Sequence, residues 1–286
     1  MLAKAVILAA GMGTRLCPLT PFVPKEMLPV GGFPAIHYVL SELVFAGVKD
    51  VAVVLSEDKR AIRDYLTARV FPKGEEARRL AEEREKVLSA LRITFLKQKK
   101  PLGTAHAIGL AKRFAKGGAL LVVYPDDLIE VRSQPMCVRE MIDLSEAIGD
   151  SVVLAAEVPG SVASQYGVLD VSLKDNRRIV TAIREKPKGY EKPTAFVVLG
   201  RMVLTPRALA RISHHRFTDA EGIVPTLAEE AAEGRLLAVL HQGVRYDVGS
   251  HEGYISLLRN TLTENKKEAL YGERTLSNLS SQDRGT

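Results

Sequence analysis

Near its start the chain runs Lys4-Ala5-Val6-Ile7-Leu8-Ala9-Ala10 and then breaks into Gly11-Met12-Gly13-Thr14-Arg15. A hydrophobic run fit for a buried strand that stops on glycines commits the chain to a strand followed by a tight loop. Glycines let a backbone approach an anion closely and expose its N–H groups. Arg15 and, ten residues on, Lys25 in Pro24-Lys25-Glu26-Met27 add positive charge. A strand-to-helix turn needs neither charge, so the set reads as a place to hold a polyphosphate.

The rest of the first half repeats the pattern of strand and helix. Ala3 to Leu8 reads as a strand, and Pro34 to Phe45 as a helix with Ile36, Val39, Leu40, Leu43 and Val44 on one stripe. Val51 to Leu55, Ile93 to Leu96 and Ala119 to Tyr124 read as strands. Asp58 to Leu66, Glu75 to Leu91 and Thr104 to Ala115 read as helices, with Phe71 to Ala90 a charged segment suited to a surface insertion. This βαβ rhythm predicts an α/β, Rossmann-like three-layer sandwich with a mixed, mainly parallel central sheet, its ligand edge at the strand C-termini. Beyond Asp127 a helix at Met136 to Ala147 and a strand at Ser151 to Glu157 continue it. Then Gly167 to Val171, Ile179 to Arg184 and Ala195 to Leu204 read as strands joined by turns, which predicts a smaller β-rich lobe. Pro206 to Ile212, Val224 to Glu233 and Gly253 to Leu262 read as helices and Leu236 to Leu240 as a strand. We expect one domain over residues 1–265 and a polar tail over 266–286, suited to loose attachment or to reaching a partner chain.

Composition removes several classes of function. No stretch reaches the roughly 18 apolar residues that a membrane-spanning helix needs, so no membrane role is expected. The two cysteines, Cys17 and Cys137, are far apart and form no Cys-x-x-Cys pattern, which predicts a reducing, cytoplasmic home. The net charge of +6 suits anionic substrates, but the basic residues are interleaved with acids. With no tryptophan for base stacking, nucleic acid is not an expected partner. The glycine loop lacks the spacing of a P-loop, and Leu16 stands where a dinucleotide fingerprint has its last glycine. His214 and His215 are adjacent but lack the further His or Cys ligands of a zinc site, and read as surface residues.

Three carboxylates stand at strand ends. Asp126 and Asp127 follow the apolar strand ending at Tyr124, and Asp247 follows another in Arg245-Tyr246-Asp247-Val248-Gly249. Successive strand residues point oppositely, so one of the first pair faces a pocket, and Asp126 is the candidate. Asp126 and Asp247 together would hold Mg²⁺, phosphate oxygens filling its remaining positions, while a cap or Asx-turn is the structural alternative for Asp126. Glu185-Lys186-Pro187 after a strand reads as a solvated turn or as an acceptor for sugar hydroxyls beside a phosphate donor. His106, on the helix after Leu102-Gly103, reads either as orienting a phosphate or as an ordinary core histidine.

Taken in order, these blocks resemble the sugar nucleotidyltransferases, and within them the bacterial UTP–glucose-1-phosphate uridylyltransferases. The resemblance rests on Ala9 to Leu16, Pro24 to Pro29, Gly103 to Ala107, Asp126-Asp127, Tyr166-Gly167-Val168, Glu185-Lys186-Pro187 and Arg245 to Gly249, and covers roughly residues 3 to 262. It implies that Ala10, Gly11, Gly13 and Thr14 wrap the nucleotide phosphates and that Gln98 and Gly103 meet the base. Arg15 and Lys25 would stabilise the transferring phosphoryl group and the departing pyrophosphate. Gly167 and Glu185 would meet the hexose, Lys186 its 1-phosphate, and Asp126 and Asp247 Mg²⁺. The chain departs from the family pattern at Ala105, at Thr194-Ala195 where Ser-Asn is common, at Glu221 to Leu227, and at Ser250-His251. These changes leave the phosphate chemistry untouched and bear on which sugar and base are chosen.

The implied activity is transfer of UMP from UTP to glucose 1-phosphate, by a homodimer or homotetramer, giving UDP-glucose and pyrophosphate. The same chemistry with dTTP, CTP or another hexose 1-phosphate is the nearest alternative. A catalytically weak regulatory or assembly subunit is the alternative of another class, and the intact set Arg15, Lys25, Asp126, Lys186 and Asp247 argues against it.

Overall fold

Alternate residues of the first strand, β1 (Lys4–Leu8), and of the turn after it go to opposite sides of a sheet: Ala5, Ile7 and Ala9 enter one apolar cluster, Val6, Leu8 and Ala10 the other. That two-residue period with both faces buried is what a central strand between two helical layers requires. The computed structural model describes residues 4–129, 136–212 and 222–264. The expectations for His214, His215, Glu221 and the tail over 266–286 concern residues outside that set.

A small hairpin of β2 (Pro29–Val30) and β3 (Phe33–Pro34) precedes helix α1 (Ala35–Phe45). Strand β4 (Asp50–Leu55), helices α2 (Arg60–Thr67) and α3 (Glu75–Ser89), and strand β5 (Arg92–Lys97) follow. The helix expected over Thr104 to Ala115 is two pieces, α4 (Gly103–Leu110) and α5 (Lys112–Ala115), interrupted at Ala111. Strand β6 (Leu120–Val123) leads to a three-residue strand, β7 (Asp127–Ile129), which the apolar pattern does not foretell. The second half comprises α6 (Met136–Ile148), β8 (Ser151–Pro159), β9 (Gly167–Lys174), β10 (Arg177–Glu185), β11 (Thr194–Leu204), α7 (Pro206–Ile212), α8 (Val224–Ala232), β12 (Leu236–Leu240), β13 (Arg245–Asp247) and α9 (His251–Glu264).

Nine strands form one mixed sheet in the order β5-β4-β1-β6-β11-β8-β12-β10-β9. From β5 to β6 the pairing is parallel, Ala5 lying between Val51 and Leu121. Beyond β6 the sheet turns largely antiparallel, and β9 pairs with both β10 and β11. Strands β11, β8, β12, β10 and β9 therefore pair in a closed cycle, the β-rich lobe expected from the short strands. Residues of α1 and α6 join one apolar cluster, and residues of α4, α7 and α8 the other, giving three layers. The charged stretch around α3 is less detached than an insertion: Leu80 lies over Gly32, Val87 is buried, and the Arg84 guanidinium donates to the carbonyls of Tyr65 and Ala68.

Candidate active site

The loop after β1 is held by its own backbone. Gly13 takes φ +68°, a conformation open to glycine, and its carbonyl accepts the Thr20 hydroxyl at 2.8 Å. A Cβ at Gly13 would sit 2.8 Å from Thr20 Cγ2, so the close approach needs glycine twice over. Thr14, Arg15 and Leu16 then make one tight turn in which Leu16 is buried and Arg15 faces outward. Ala10 lies at the root of this loop, and Gly11 and Thr14 line its course; a Cβ on Gly11 would come 3.8 Å from Lys25 Nζ.

A second tight turn, Lys25 to Met27, follows Pro24 and sends neighbouring side chains in opposite directions. Lys25 Nζ reaches Asp126 Oδ2 at 2.5 Å. Glu26 turns into the interior, where it accepts from Lys59 Nζ at 3.2 Å, and both are almost wholly buried. Burial opposes charge on Lys25, but Asp126 and Glu26 outweigh it and hold the ammonium above its ordinary value. Burial likewise pushes the Asp126 carboxyl up, and Lys25 overcomes it, leaving that carboxyl below the usual range. Burial pushes the Glu26 carboxyl up against the pull of Lys59.

The two short strands β7 and β13 pair antiparallel and put Asp247 opposite Asp127. Val248 N–H donates to the Asp126 carbonyl at 2.8 Å, which fixes the neighbouring turn. Asp247 receives a two-pronged bond from Arg15, at 2.7 and 3.1 Å, and the N–H of Gly249 at 3.0 Å. Arg15 Nη2 also lies 4.0 Å from Asp126 Oδ2. Two cations from the first 25 residues thus converge on two carboxylates from residues 126 and 247. Asp127 turns away, accepting from Gly200 N–H at 2.6 Å and from Arg245 Nε at 2.5 Å.

Gly249 tests whether a cation fits between the carboxylates. A Cβ built there would lie 2.5 Å from Asp126 Oδ2, 3.0 Å from Asp247 Oδ1 and 2.8 Å from Arg15 Nη2. Those distances leave no room for a methyl group, so glycine at 249 is what lets both carboxylates and Arg15 converge on one point. Among the described residues no group of three or more His, Cys, Asp or Glu side chains converges to hold a metal. Two hard oxygen donors with substrate phosphates completing the shell suit Mg²⁺, which binds proteins through few carboxylates.

Gln98 and Gly103 come together on the expected base side. The Gln98 amide donates to the Gly103 carbonyl at 3.1 Å and lies 2.9 Å from His106 Nδ1, so its visible work is to hold the loop into α4. Tyr124, at the end of β6, hydrogen-bonds Thr104 in the first turn of α4, and burial pushes its phenol up to about 12.

Gly167 and Glu185 face each other across the β9–β10 hairpin. Lys186 follows in a left-handed conformation, φ +44°, unusual for a residue with a side chain, and its N–H donates to the Tyr166 carbonyl at 2.9 Å. Its ammonium lies 3.6 Å from Glu185 Oε1 and is largely exposed. Ala195 is buried in the apolar core and brings no donor to this side.

Several structural partners escape a reading of motifs. Arg201, wholly buried, makes a two-pronged bond with Glu42 of α1 at 2.8 and 2.7 Å and donates to the carbonyls of Tyr124 and Gly200. It thereby props the turn that carries Asp126. Glu26–Lys59 and Asp127–Arg245 are similarly remote in sequence. Glu26, Asp127 and Arg245 carry a signal, since each shares a block with a candidate site residue; Glu42, Lys59 and Arg201 carry none.

The family model described as nucleotidyl transferase matches residues 4–264. A UTP–glucose-1-phosphate uridylyltransferase of Staphylococcus epidermidis is 34% identical over 264 residues, 88% of this chain and 89% of that protein. One from Bacillus subtilis is 32% identical over 262 residues, 88% of each. Among solved structures, a UDP-glucose pyrophosphorylase complexed with UDP-glucose superposes with a TM-score of 0.83 at 28% identity, covering 92% of this chain and all of that one. A UTP-bound enzyme of the same kind from Acinetobacter baumannii gives 0.77 at 26% identity, with both chains fully covered. The chain therefore belongs to the nucleotidyl transferase family.

Proposed function

We propose that this chain transfers UMP from UTP to glucose 1-phosphate, forming UDP-glucose and releasing pyrophosphate. The observation that carries this reading is the quartet of Arg15 and Lys25 on Asp247 and Asp126, where the loops after β1 and β6 meet the end of β13. The names of the relatives supply the substrates.

A sugar 1-phosphate is already an anionic nucleophile, so no general base is needed. One of its oxygens attacks the α-phosphorus of UTP, the bond from that phosphorus to the bridging oxygen breaks, and pyrophosphate leaves. The barrier lies in bringing polyanions together and in stabilising charge as it moves toward the leaving group. Lys25 and Arg15 are held charged by their carboxylate partners and can pass their N–H donors to phosphate oxygens. Asp126 and Asp247 would then hold Mg²⁺, which when bound neutralises phosphate charge. Glu185 accepts hydroxyl hydrogen bonds and Lys186 meets the 1-phosphate. One catalytic domain through residue 265, assembly as a homodimer or homotetramer, and work in the cytoplasm belong to the same proposal. The continuous sheet and the two free cysteines accord with it.

The test is the initial rate of pyrophosphate release for UTP, dTTP and CTP with glucose 1-phosphate, and for UTP with galactose 1-phosphate, all in Mg²⁺. UTP with glucose 1-phosphate is expected to give the highest kcat/KM. Galactose 1-phosphate is expected within roughly a hundredfold, because strong rejection of an epimer needs a dedicated polar contact and Ala195 offers none. No turnover of glucose 1-phosphate beside efficient use of another sugar would overturn the substrate.

A further inference from the structure

Asp127 is buried and takes no part in the chemistry proposed above, yet both its oxygens are engaged. One accepts Gly200 N–H at 2.6 Å and the other Arg245 Nε at 2.5 Å. Arg245 opens the short strand that ends in Asp247, so the Asp127–Arg245 pair fixes how the segment carrying Asp126 meets the segment carrying Asp247. The same guanidinium reaches toward the sugar half. Its Nη1 donates to the Tyr166 phenol at 3.0 Å, and its Cζ lies 5.0 Å from the centre of that ring. Tyr166 precedes Gly167, and its carbonyl accepts the Lys186 N–H at 2.9 Å. One side chain therefore touches the supports of both carboxylates and of the sugar loop. A guanidinium carries its donors in a rigid planar fork, so partners on different prongs are fixed relative to each other.

We infer that Arg245 is a positioning residue that ties the Asp126–Asp247 pair to the Tyr166-Gly167 and Glu185-Lys186 sugar loop, coupling the seat of the metal to the seat of the sugar. The inference rests on the uridylyl-transfer reading. A merely structural arginine would lower stability; a coupling arginine also makes two affinities move together.

The experiment uses the full chain, the variants Tyr166→Phe and Arg245→Lys, and their combination. Two affinities are read: UDP-glucose by titration calorimetry, and Mn²⁺, standing in for Mg²⁺, by loss of the free-ion electron paramagnetic resonance signal at saturating UDP-glucose. Tyr166→Phe keeps the ring and removes one hydrogen bond, so UDP-glucose is expected to bind about fivefold more weakly with Mn²⁺ affinity within about twofold of wild type. Arg245→Lys keeps the charge and removes the fork, and is expected to weaken both ligands by about fivefold or more. The combined variant is expected to bind UDP-glucose no more weakly than Arg245→Lys alone, since the same contact is lost. A single affected ligand in Arg245→Lys, or losses that multiply in the combined variant, would overturn the coupling. Should Arg245→Lys not fold, Tyr166→Phe decides alone, and unchanged UDP-glucose affinity overturns the inference. A wild-type chain that fails to bind UDP-glucose overturns the uridylyl-transfer reading and the coupling with it; loss of coupling in a chain that binds it overturns the coupling alone.

Discussion

The part of the site proposed to meet the nucleotide and the part proposed to meet the sugar handle charge in different ways. On the nucleotide side, Lys25 and Asp126 are only 15% and 12% exposed, and their loops grow from the parallel strands β1 and β6. On the sugar side, Lys186 and Glu185 are 63% and 38% exposed and stand at the end of a hairpin. Attraction between charges strengthens as water is excluded, while exposed pairs contribute little. The first half is thus preorganised around charge before substrate arrives, as stabilising a transition state demands. The second can grip a ligand, but its lysine remains hydrated and free to reorient. If the proposed function holds, the difference teaches where each step belongs: chemistry on the quartet built around the buried Lys25–Asp126 pair, with Arg15 held at the surface by Asp247, and retention of the sugar on the exposed hairpin.

The largest expected effect comes from breaking the buried side. Asp126→Asn or Asp247→Asn removes a metal oxygen's charge and the partner of a cation, and turnover in Mg²⁺ is expected to fall by about a thousandfold. Thermal unfolding is expected to move far less than turnover. Wild-type rates in limiting Mg²⁺ would remove these carboxylates from the metal site and erase the contrast between the halves.

Burial in the first half also predicts acid sensitivity. His37 on α1 is stacked on Phe33 at 4.0 Å, lies 2.9 Å from the Tyr65 hydroxyl, and is lowered from 6.5 to about 4, chiefly by burial and then by Arg84. Between those values the unfolded chain takes up a proton that the folded chain refuses. Its contribution to stability is therefore complete above pH 6.5 and is lost as pH falls toward 4. Urea unfolding is expected to show about 2 kcal/mol less stability at pH 5 than at pH 7.5 from this group. His37→Gln, which cannot titrate, is expected to lack that share of the acid dependence. An identical pH dependence in both proteins would show that His37 is not held neutral.

The parts legible in the sequence are those with a period or a local motif. The strands β1, β4 and β6 announce themselves as apolar runs, and the glycines with Arg15 and Lys25 mark, within 15 residues, the loop proposed to hold phosphate. The alternation rule also places Asp126 and Asp127 on opposite sides, as the structure has them. What sequence does not display is long-range closure. Strands β7 and β13 have three residues each, too few for a period to show, yet their pairing brings Asp247 to Asp126. Arg201 with Glu42 and Lys59 with Glu26 join residues 159 and 33 positions apart, and a charged residue in a strand or turn gives no hint that it will be buried. The break at Ala111 is likewise silent, because Thr104 to Ala115 reads as one helical stretch.

The central claim, that the quartet around the Lys25–Asp126 pair performs the chemistry and the β9–β10 hairpin holds the sugar, is tested by measuring kcat and the glucose 1-phosphate KM for Arg15→Ala beside Lys186→Ala. Arg15→Ala is expected to lose about a hundredfold in kcat, the effect of removing one preorganised charge, with a small change in KM. Lys186→Ala is expected to raise KM about tenfold with kcat close to wild type, as loss of uniform binding does. An Arg15→Ala change confined to KM, or a Lys186→Ala change confined to kcat, would contradict the division.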